Sequence, residues 1–228
     1  MDAELVEVLY EDTHLLFINK PAALLTQPTR EESDSLEERA KEYLKVKYQK
    51  KGAVYLHAIH RLDRQASGIV LFAKSSKALS RLNESLRKKE IHKWYLAICA
   101  GSFEKKSERL THYLVHDAHK ATVSNSAYAG GKKSELDYEV VQSEKGLNLL
   151  RIHLITGRYH QIRAQFAFLL HPIIGDTKYG SKYPYRNEGI ALHHYKMLIP
   201  HPITKEIILI KSPPPQFWPL HDESMKKP

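Results

Sequence analysis

The sequence predicts an α+β fold, a single domain with a large mixed, mostly antiparallel sheet flanked by helices and loops. Many short apolar runs follow one another in hairpin-like succession, and only a few stretches have helical spacing. No internal repeat or low-complexity linker divides the chain. We therefore expect one domain over residues 1–228, with its core at about 5–218.

The individual elements follow from periodicity and from turn and capping residues. Apolar runs of strand length predict strands at residues 5–9, 14–18, 54–59, 68–73, 91–100, 136–141, 147–155, 191–199 and 207–210. Helices are predicted from Asp34 or Ser35 to about residue 48, from Ser75 or Ser76 across three leucines, and from residues 156–157 to His171-Pro172. Polar residues 101–134 are expected to form short strands separated by exposed loops.

Composition excludes several classes of protein. Hydrophobic residues make up 42% and charged residues 27% of the chain, a globular balance. The longest apolar runs are far shorter than the roughly 20 residues of a membrane span, and the N-terminus does not resemble a secretory signal. The single cysteine, Cys99, cannot form an internal disulfide and is expected to be a buried thiol. We therefore expect a cytoplasmic protein without membrane contact.

The formal net charge of +9 and the pI of about 9.4 favour a polyanionic partner. Lysine and arginine release counterions when they bind a phosphate backbone, so RNA or DNA is one candidate. Many basic proteins bind no nucleic acid, however, and the charge alone does not choose between these possibilities.

The segment His60-Arg61-Leu62-Asp63-Arg64 places one carboxylate between two guanidinium groups, directly after a predicted strand. An aspartate with such neighbours stays ionised at neutral pH, because opposite charges favour its charged form. A salt-bridge cluster that anchors a loop would have the same pattern. By itself, the segment therefore leaves a structural and a catalytic role for Asp63 open.

A second segment, residues 157–163, carries Arg158, Gln161 and Arg163 near a predicted helix N-terminus, where an anion can bind. On a regular helix Arg163 borders the apolar stripe, and a buried arginine is costly unless a carboxylate meets it. Asp63 is the natural partner for that role.

The segment from His60 to Lys74 closely resembles the signature of the RluA family of pseudouridine synthases. Other family-like pieces follow in the expected order: Tyr10-Glu11-Asp12 with Asn19-Lys20-Pro21, Lys93-Trp94-Tyr95-Leu96-Ala97, residues 156–163 with 171–176 and 179–180, and Leu192-His193. The resemblance spans roughly residues 5–218. The sequence departs from the family's usual residues at Ala23, Gln65-Ala66, Tyr159 and Gln165, which concern substrate fit more than chemistry.

The resemblance implies an isomerase that converts uridine in RNA to pseudouridine without a cofactor or a metal, with the pseudouridine synthase fold. Asp63 is then the catalytic nucleophile, attacking the sugar or the base or removing a sugar proton. Arg163 pairs with Asp63, and Tyr95 stacks on the displaced uracil. Without the resemblance, a core aromatic on the strand face would be the favoured interpretation of Tyr95.

The remaining family positions are expected to bind substrate. Arg61 fills the space that the flipped-out uridine vacates, and Leu192 packs near the uracil. Arg64 and Lys20 contact phosphate or support the loop, and Arg158 lies at the helix N-terminus that suits an anion. We expect a monomer without an N-terminal RNA-binding module, acting on ribosomal RNA, transfer RNA or both.

Two other functions remain open from the residues alone. A metal-dependent nuclease would need ligands such as His57-x-x-His60, His116-x-x-His119 or His193-His194, but none of these has a supporting glutamate or cysteine set. A non-catalytic RNA-binding protein would explain the charge and would leave Asp63 only a structural role.

Overall fold

A computed structural model describes residues 6–117, 119–128, 130–186, 188–220 and 222. Leu5, the first residue of the first predicted strand and of the predicted core, lies outside these residues. The described part of the chain contains eleven strands and three α-helices, which confirms the α+β class and the large, mostly antiparallel sheet.

The strands are β1 (Glu7–Glu11), β2 (Leu15–Lys20), β3 (His57–Ala58), β4 (Ser67–Ala73), β5 (His92–Ala100), β6 (Ser107–His116), β7 (Ala121–Ser124), β8 (Lys132–Glu144), β9 (Leu147–Leu154), β10 (Leu192–Pro200) and β11 (Ile207–Lys211). The helices are α1 (Leu36–Lys47), α2 (Ser76–Arg87) and α3 (Gln161–Phe168), and a short 3-10 helix covers Thr177–Tyr179. None of the helices in the described ranges is both long and apolar enough to cross a bilayer.

The chain forms two compact units. The first contains the described residues up to Ile91 together with His194–Ser212. Its strands follow the order β1-β2-β4-β10, with β3 paired to β4 and β11 paired to β10. The β1–β2, β2–β4, β3–β4 and β10–β11 pairings are antiparallel. Helix α2 adds Ala78 and Leu82 to a core with inward residues of β2 and β4, such as Phe17 and Leu71.

The second unit contains His92–His193 and the described residues after Ser212. Its strands follow the antiparallel order β5-β9-β8-β6-β7. Ala164 of α3 packs with Leu114 of β6, Ala121 of β7 and Tyr179. Cys99 of β5 is buried, as the sequence predicts.

Capping residues decide where two helices begin. The hydroxyl of Ser35, rather than Asp34, accepts a hydrogen bond from the backbone N–H of Glu38, and Ser75 caps α2 in the same way. Several other bounds differ from the predicted ones, and the strand predicted at 136–141 extends over Lys132–Glu144. The strand predicted at 54–59 covers only two residues, α3 begins at Gln161 rather than at 156–157, and residues 101–134 include the ten-residue strand β6. The single domain over 1–228 stays a prediction.

Candidate active site

Asp63 lies on a tight turn between β3 and β4 in the first unit. The backbone N–H of Ala66 donates to the carbonyl of Asp63 at 3.1 Å, which closes the turn. Asp63 is half-buried, whereas Arg61 and Arg64 on either side are exposed. The carboxylate is therefore only partly withdrawn from solvent.

The residue before Asp63 is fixed by a hydroxyl. Thr26 Oγ1 donates to the carbonyl of Leu62 at 3.0 Å and accepts from the N–H of the same residue at 3.1 Å. Both Thr26 and Leu62 are buried. Because one side chain satisfies both backbone groups of Leu62, that residue cannot shift without leaving a buried polar group unpaired.

The residue after Asp63 is fixed by an ammonium group. Lys20 is fully buried, and its Nζ donates to the carbonyls of Pro21, Leu24 and Arg64 at 2.8, 2.7 and 3.1 Å. Burial lowers the pKa of Lys20 to about 7, although the Asp63 carboxylate opposes this. This arrangement fits the loop-supporting alternative for Lys20 rather than contact with phosphate.

Gly68 follows the turn with a φ of +112°, and a Cβ built on it would lie 2.4 Å from the carbonyl oxygen of His194. A side chain would therefore collide with the backbone of β10, so the glycine of the Ser67-Gly68 pair allows β4 to leave the turn here. The side chain of Arg64, unlike its carbonyl group, takes no part in the contact with Lys20. It forms an exposed ion pair with Glu32 at 2.7 Å.

Arg163 lies on α3 in the second unit and is 2% exposed. Its Nε and Nη2 donate to the two carboxylate oxygens of Asp176 at 2.7 and 2.8 Å. A carboxylate therefore meets this arginine, as the sequence predicts, but the partner found here is Asp176. The predicted pairing of Arg163 with Asp63 stays a prediction.

The same guanidinium is linked to His160 and Tyr179. Arg163 Nη1 lies 3.0 Å from His160 Nε2, and because arginine can only donate, this imidazole nitrogen accepts. His160 Nδ1 therefore carries the proton and donates to the Tyr179 hydroxyl at 3.0 Å. The arrangement fixes one tautomer of His160 and holds α3 against the 3-10 helix.

The loop before α3 is organised by Gln161. Its Oε1 accepts from the Thr156 hydroxyl at 2.7 Å and from the N–H of Arg158 at 3.0 Å, while its Nε2 donates to the carbonyl of Glu135. The helix begins only after this loop because His160 adopts a φ of +51°. Arg158 stays exposed, with its Nε donating to the carbonyl of Lys133 at 3.3 Å.

The remaining predicted residues lie on strands of the second unit. Tyr95 is 5% exposed on β5, where it pairs with Ile152 of β9, and Leu192 is buried at the start of β10. The structure thus brings Lys20, Asp63 and Arg64 together in the first unit. Arg158 and Arg163 flank the start of α3 in the second unit.

Residues 14–168 match the family model of RNA pseudouridylate synthases. The chain is also 31% identical over 205 residues to the dual-specificity RNA pseudouridine synthase RluA of Vibrio vulnificus, covering 86% of this chain and 78% of that protein. The chain belongs to the RluA family of pseudouridine synthases. The named members of this RluA family are RNA pseudouridine synthases, which are isomerases.

Two further comparisons extend this result. The uncharacterized RNA pseudouridine synthase YhcT of Bacillus subtilis is 34% identical over 213 residues, 92% of this chain and 69% of that protein. The structure of human RNA pseudouridylate synthase domain containing 4 superposes with a TM-score of 0.77 at 21% identity, covering 92% of this chain and 89% of that one. The RluA-family chain therefore has the pseudouridine synthase fold.

Sequence reasoning missed two residues that hold the predicted site residues of this RluA-family chain, one in each unit. Thr26 holds Leu62 from 36 positions away, and no local pattern indicates that contact. Asp176 was visible within the family-like run 171–176, but only the need for a carboxylate beside Arg163 could have assigned it a role. The described residues contain no group of three or more histidine, cysteine, aspartate or glutamate side chains suited to a metal ion.

Proposed function

We propose that this protein isomerises specific uridines in ribosomal or transfer RNA to pseudouridine, with Asp63 as the nucleophile. The observation that carries the proposal is the Asp63 turn, in which a half-buried carboxylate is fixed through both neighbouring residues within the family-like segment. A rigidly held, ionised carboxylate is what each route to pseudouridine needs.

Pseudouridine formation breaks the N-glycosidic bond of uridine and rejoins the uracil to the sugar through a ring carbon. Atoms and electrons balance within the one nucleotide, so the reaction is redox-neutral. Asp63 attacks the anomeric carbon, attacks the base or removes a sugar proton, and the proposal holds for all three routes. In each of them the carboxylate must be ionised at the start.

The proposal gives Arg163 and Tyr95 supporting roles. Asp176 and His160 account for three of the five N–H donors of a guanidinium, and the chemistry of the group permits Asp63 as a second carboxylate partner. Such a charge-assisted pair would orient Asp63 and keep it ionised. Tyr95 would stack on the uracil after it leaves the sugar.

RNA is the partner that the relatives' names support, since they include a tRNA pseudouridine synthase C of Pasteurella multocida and a ribosomal large subunit pseudouridine synthase C. The target uridine would leave the RNA stack, at a cost of a few kcal/mol, and Arg61 would fill its space. Arg64 and Arg158 would contact phosphates, and Leu192 would pack near the uracil. We further propose a monomer that acts in the cytoplasm.

The test is Asp63→Asn, which keeps the shape of the side chain and removes its charge and nucleophilicity. We expect no pseudouridine from unmodified rRNA and tRNA transcripts in a tritium-release assay, with thermal stability and RNA affinity close to wild type. Asp34→Asn, which changes an exposed aspartate before α1, is the matched control and should keep full turnover. Turnover by the Asp63 variant would exclude the nucleophile assignment, and no product from the wild type would support a non-catalytic RNA-binding protein.

A further inference from the structure

Lys93 of β5 is a half-buried cation for which the mechanism above has no use. It stands two residues before Tyr95 on the same face of the strand, opposite Leu154 of β9. Within the part of the chain that the structure describes, the ammonium group forms no hydrogen bond or ion pair. Burial lowers the pKa of Lys93, and no neighbouring charge opposes this. A cation kept in this state costs free energy unless an anion joins it.

The ammonium group of Lys93 lies close to the backbone of Gly157. A Cβ built on Gly157 would lie 3.3 Å from Lys93 Nζ, so the ammonium group lies close to this backbone position and a side chain there would crowd it. Gly157 and the following Arg158 are both exposed. The amine therefore lies close to an exposed backbone position.

The charges around Gly157 favour an anion. Arg158 adds a second cation next to the glycine, and its Nε is engaged only with a backbone carbonyl. The nearby carboxylate of Glu135 is already paired with Lys133 at 2.8 Å. The local balance is thus positive on the face of β5 that carries Tyr95.

We propose that Lys93 binds a backbone phosphate of the RNA beside the target uridine. The inference rests on the proposed function for the identity of the anion, since RNA phosphate is the anion that such a substrate brings to the site. Lysine meets phosphate as a point charge, and the cost of its half-buried, unpaired state is recovered when the phosphate arrives. Lys93 and Tyr95 would then hold the backbone and the base of one nucleotide from the same strand.

The first experiment measures binding with Asp63→Asn as the background, so that turnover does not enter. Three double variants combine Asp63→Asn with Lys93→Met, Lys93→Arg or Lys145→Met. For each of them, Kd is measured at several salt concentrations for a twelve-nucleotide oligouridylate and for tRNA and rRNA transcripts. Lys145 is the matched control, an exposed lysine at the β8–β9 turn near the opposite end of β5. We expect Lys93→Met to lower the slope of log Kd against log salt by about 0.7–0.9, the share of one phosphate contact. Lys93→Arg and Lys145→Met should keep the slope, and an unchanged slope with Lys93→Met would overturn the proposal.

Stability separates this role from a purely structural one. Because Lys93→Met removes an uncompensated cation and keeps the length of the side chain, the melting temperature should equal or exceed that of the wild type. A lower melting temperature together with an unchanged salt slope would show that Lys93 only supports the fold.

A second experiment identifies the ligand group. Methylphosphonate links replace, one at a time, the phosphates around the modified uridine in a synthetic RNA hairpin, and single-turnover rates are measured. One link should slow the wild type and add no further loss to Lys93→Met, since both remove the same contact. Additive losses at every link would mean that Lys93 contacts the base or sugar instead, and would refute the phosphate assignment. A wild type that forms no pseudouridine would defeat the proposed function, while the salt slope would still report on Lys93.

Discussion

Asp63 and Arg163, the two charged residues that the proposed mechanism uses most directly, are held by different kinds of contact. Asp63 is half-buried and is fixed through the backbone of its neighbours, by Thr26 on one side and Lys20 on the other. Arg163 is buried and is fixed through its own guanidinium, by Asp176 and His160.

This difference separates chemistry from stability at the two positions. The Asp63 side chain can change while Thr26 and Lys20 still hold the turn, because both bind backbone groups. The Arg163 side chain is itself part of a buried ion pair, so a change there alters folding and catalysis together. Loss of activity is therefore interpretable directly at Asp63, but at Arg163 only when stability is measured as well.

Asp176→Asn should have the largest effect on stability. The change removes the charge of Asp176 from its buried ion pair with Arg163, and breaking a buried pair in this way costs about 3–5 kcal/mol. Urea denaturation should show this loss in the free energy of unfolding, and pseudouridine formation should fall with it. A loss below about 1 kcal/mol, the range of exposed pairs, would mean that solvent or a second carboxylate compensates the charge of Arg163.

A double variant sharpens the same comparison. Arg163→Met combined with Asp176→Leu removes both charges and keeps similar volumes, so most of the stability should return. Activity should not return if Arg163 acts on Asp63. A double variant with near-wild-type turnover would reduce Arg163 to a structural residue.

Much of the fold was predictable because its core elements have regular patterns. The apolar run of β4 and the leucines of α2 after a capping serine lie where the sequence predicts them. The length of β6 was underestimated, since charged and polar residues alternate with Leu110 and Leu114 and hide the inward face. The late start of α3 depends on the left-handed His160 and on the contacts of Gln161, neither of which has a sequence signature.

The sequence nominated the candidate site residues but not the residues that hold them in place. The order of the family-like segments nominated Asp63, Tyr95 and Arg163, and all three lie within the described chain. Their supports are long-range contacts, such as Thr26 with Leu62, which form only when separate loops meet. A pattern along the chain indicates the reacting group more readily than the residues that hold it.

Thr26→Val should have an intermediate effect. Valine keeps the shape of the side chain but leaves the N–H and C=O of Leu62 buried and unpaired, which costs about 1–3 kcal/mol. Since Leu62 precedes Asp63, we expect kcat to fall about 10- to 100-fold with little change in KM. Single-turnover kinetics would measure this.

Thr26→Ser is the control for that variant, because serine keeps the hydroxyl and should restore most of kcat. Wild-type kcat in Thr26→Val would show that the turn positions Asp63 without the Thr26 hydroxyl. A loss in Thr26→Ser alone would point to packing of the threonine methyl group instead, since valine keeps that methyl group.

Glu32→Gln should have the smallest effect. It tests whether the turn at Asp63 is held by backbone groups alone or also by the side chain of Arg64. It breaks the exposed ion pair with Arg64, which contributes about 0.2–1 kcal/mol at most. Because the turn depends on the carbonyl of Arg64 and not on its side chain, kcat should stay within about twofold of wild type, a range of less than 0.5 kcal/mol in barrier height. RNA affinity should stay equal or rise slightly, since the released guanidinium can meet phosphate. A loss of kcat beyond about tenfold would show that the side chain of Arg64 also positions Asp63. Asp63 would then depend on side-chain ion pairs, as Arg163 does, and not on backbone contacts alone.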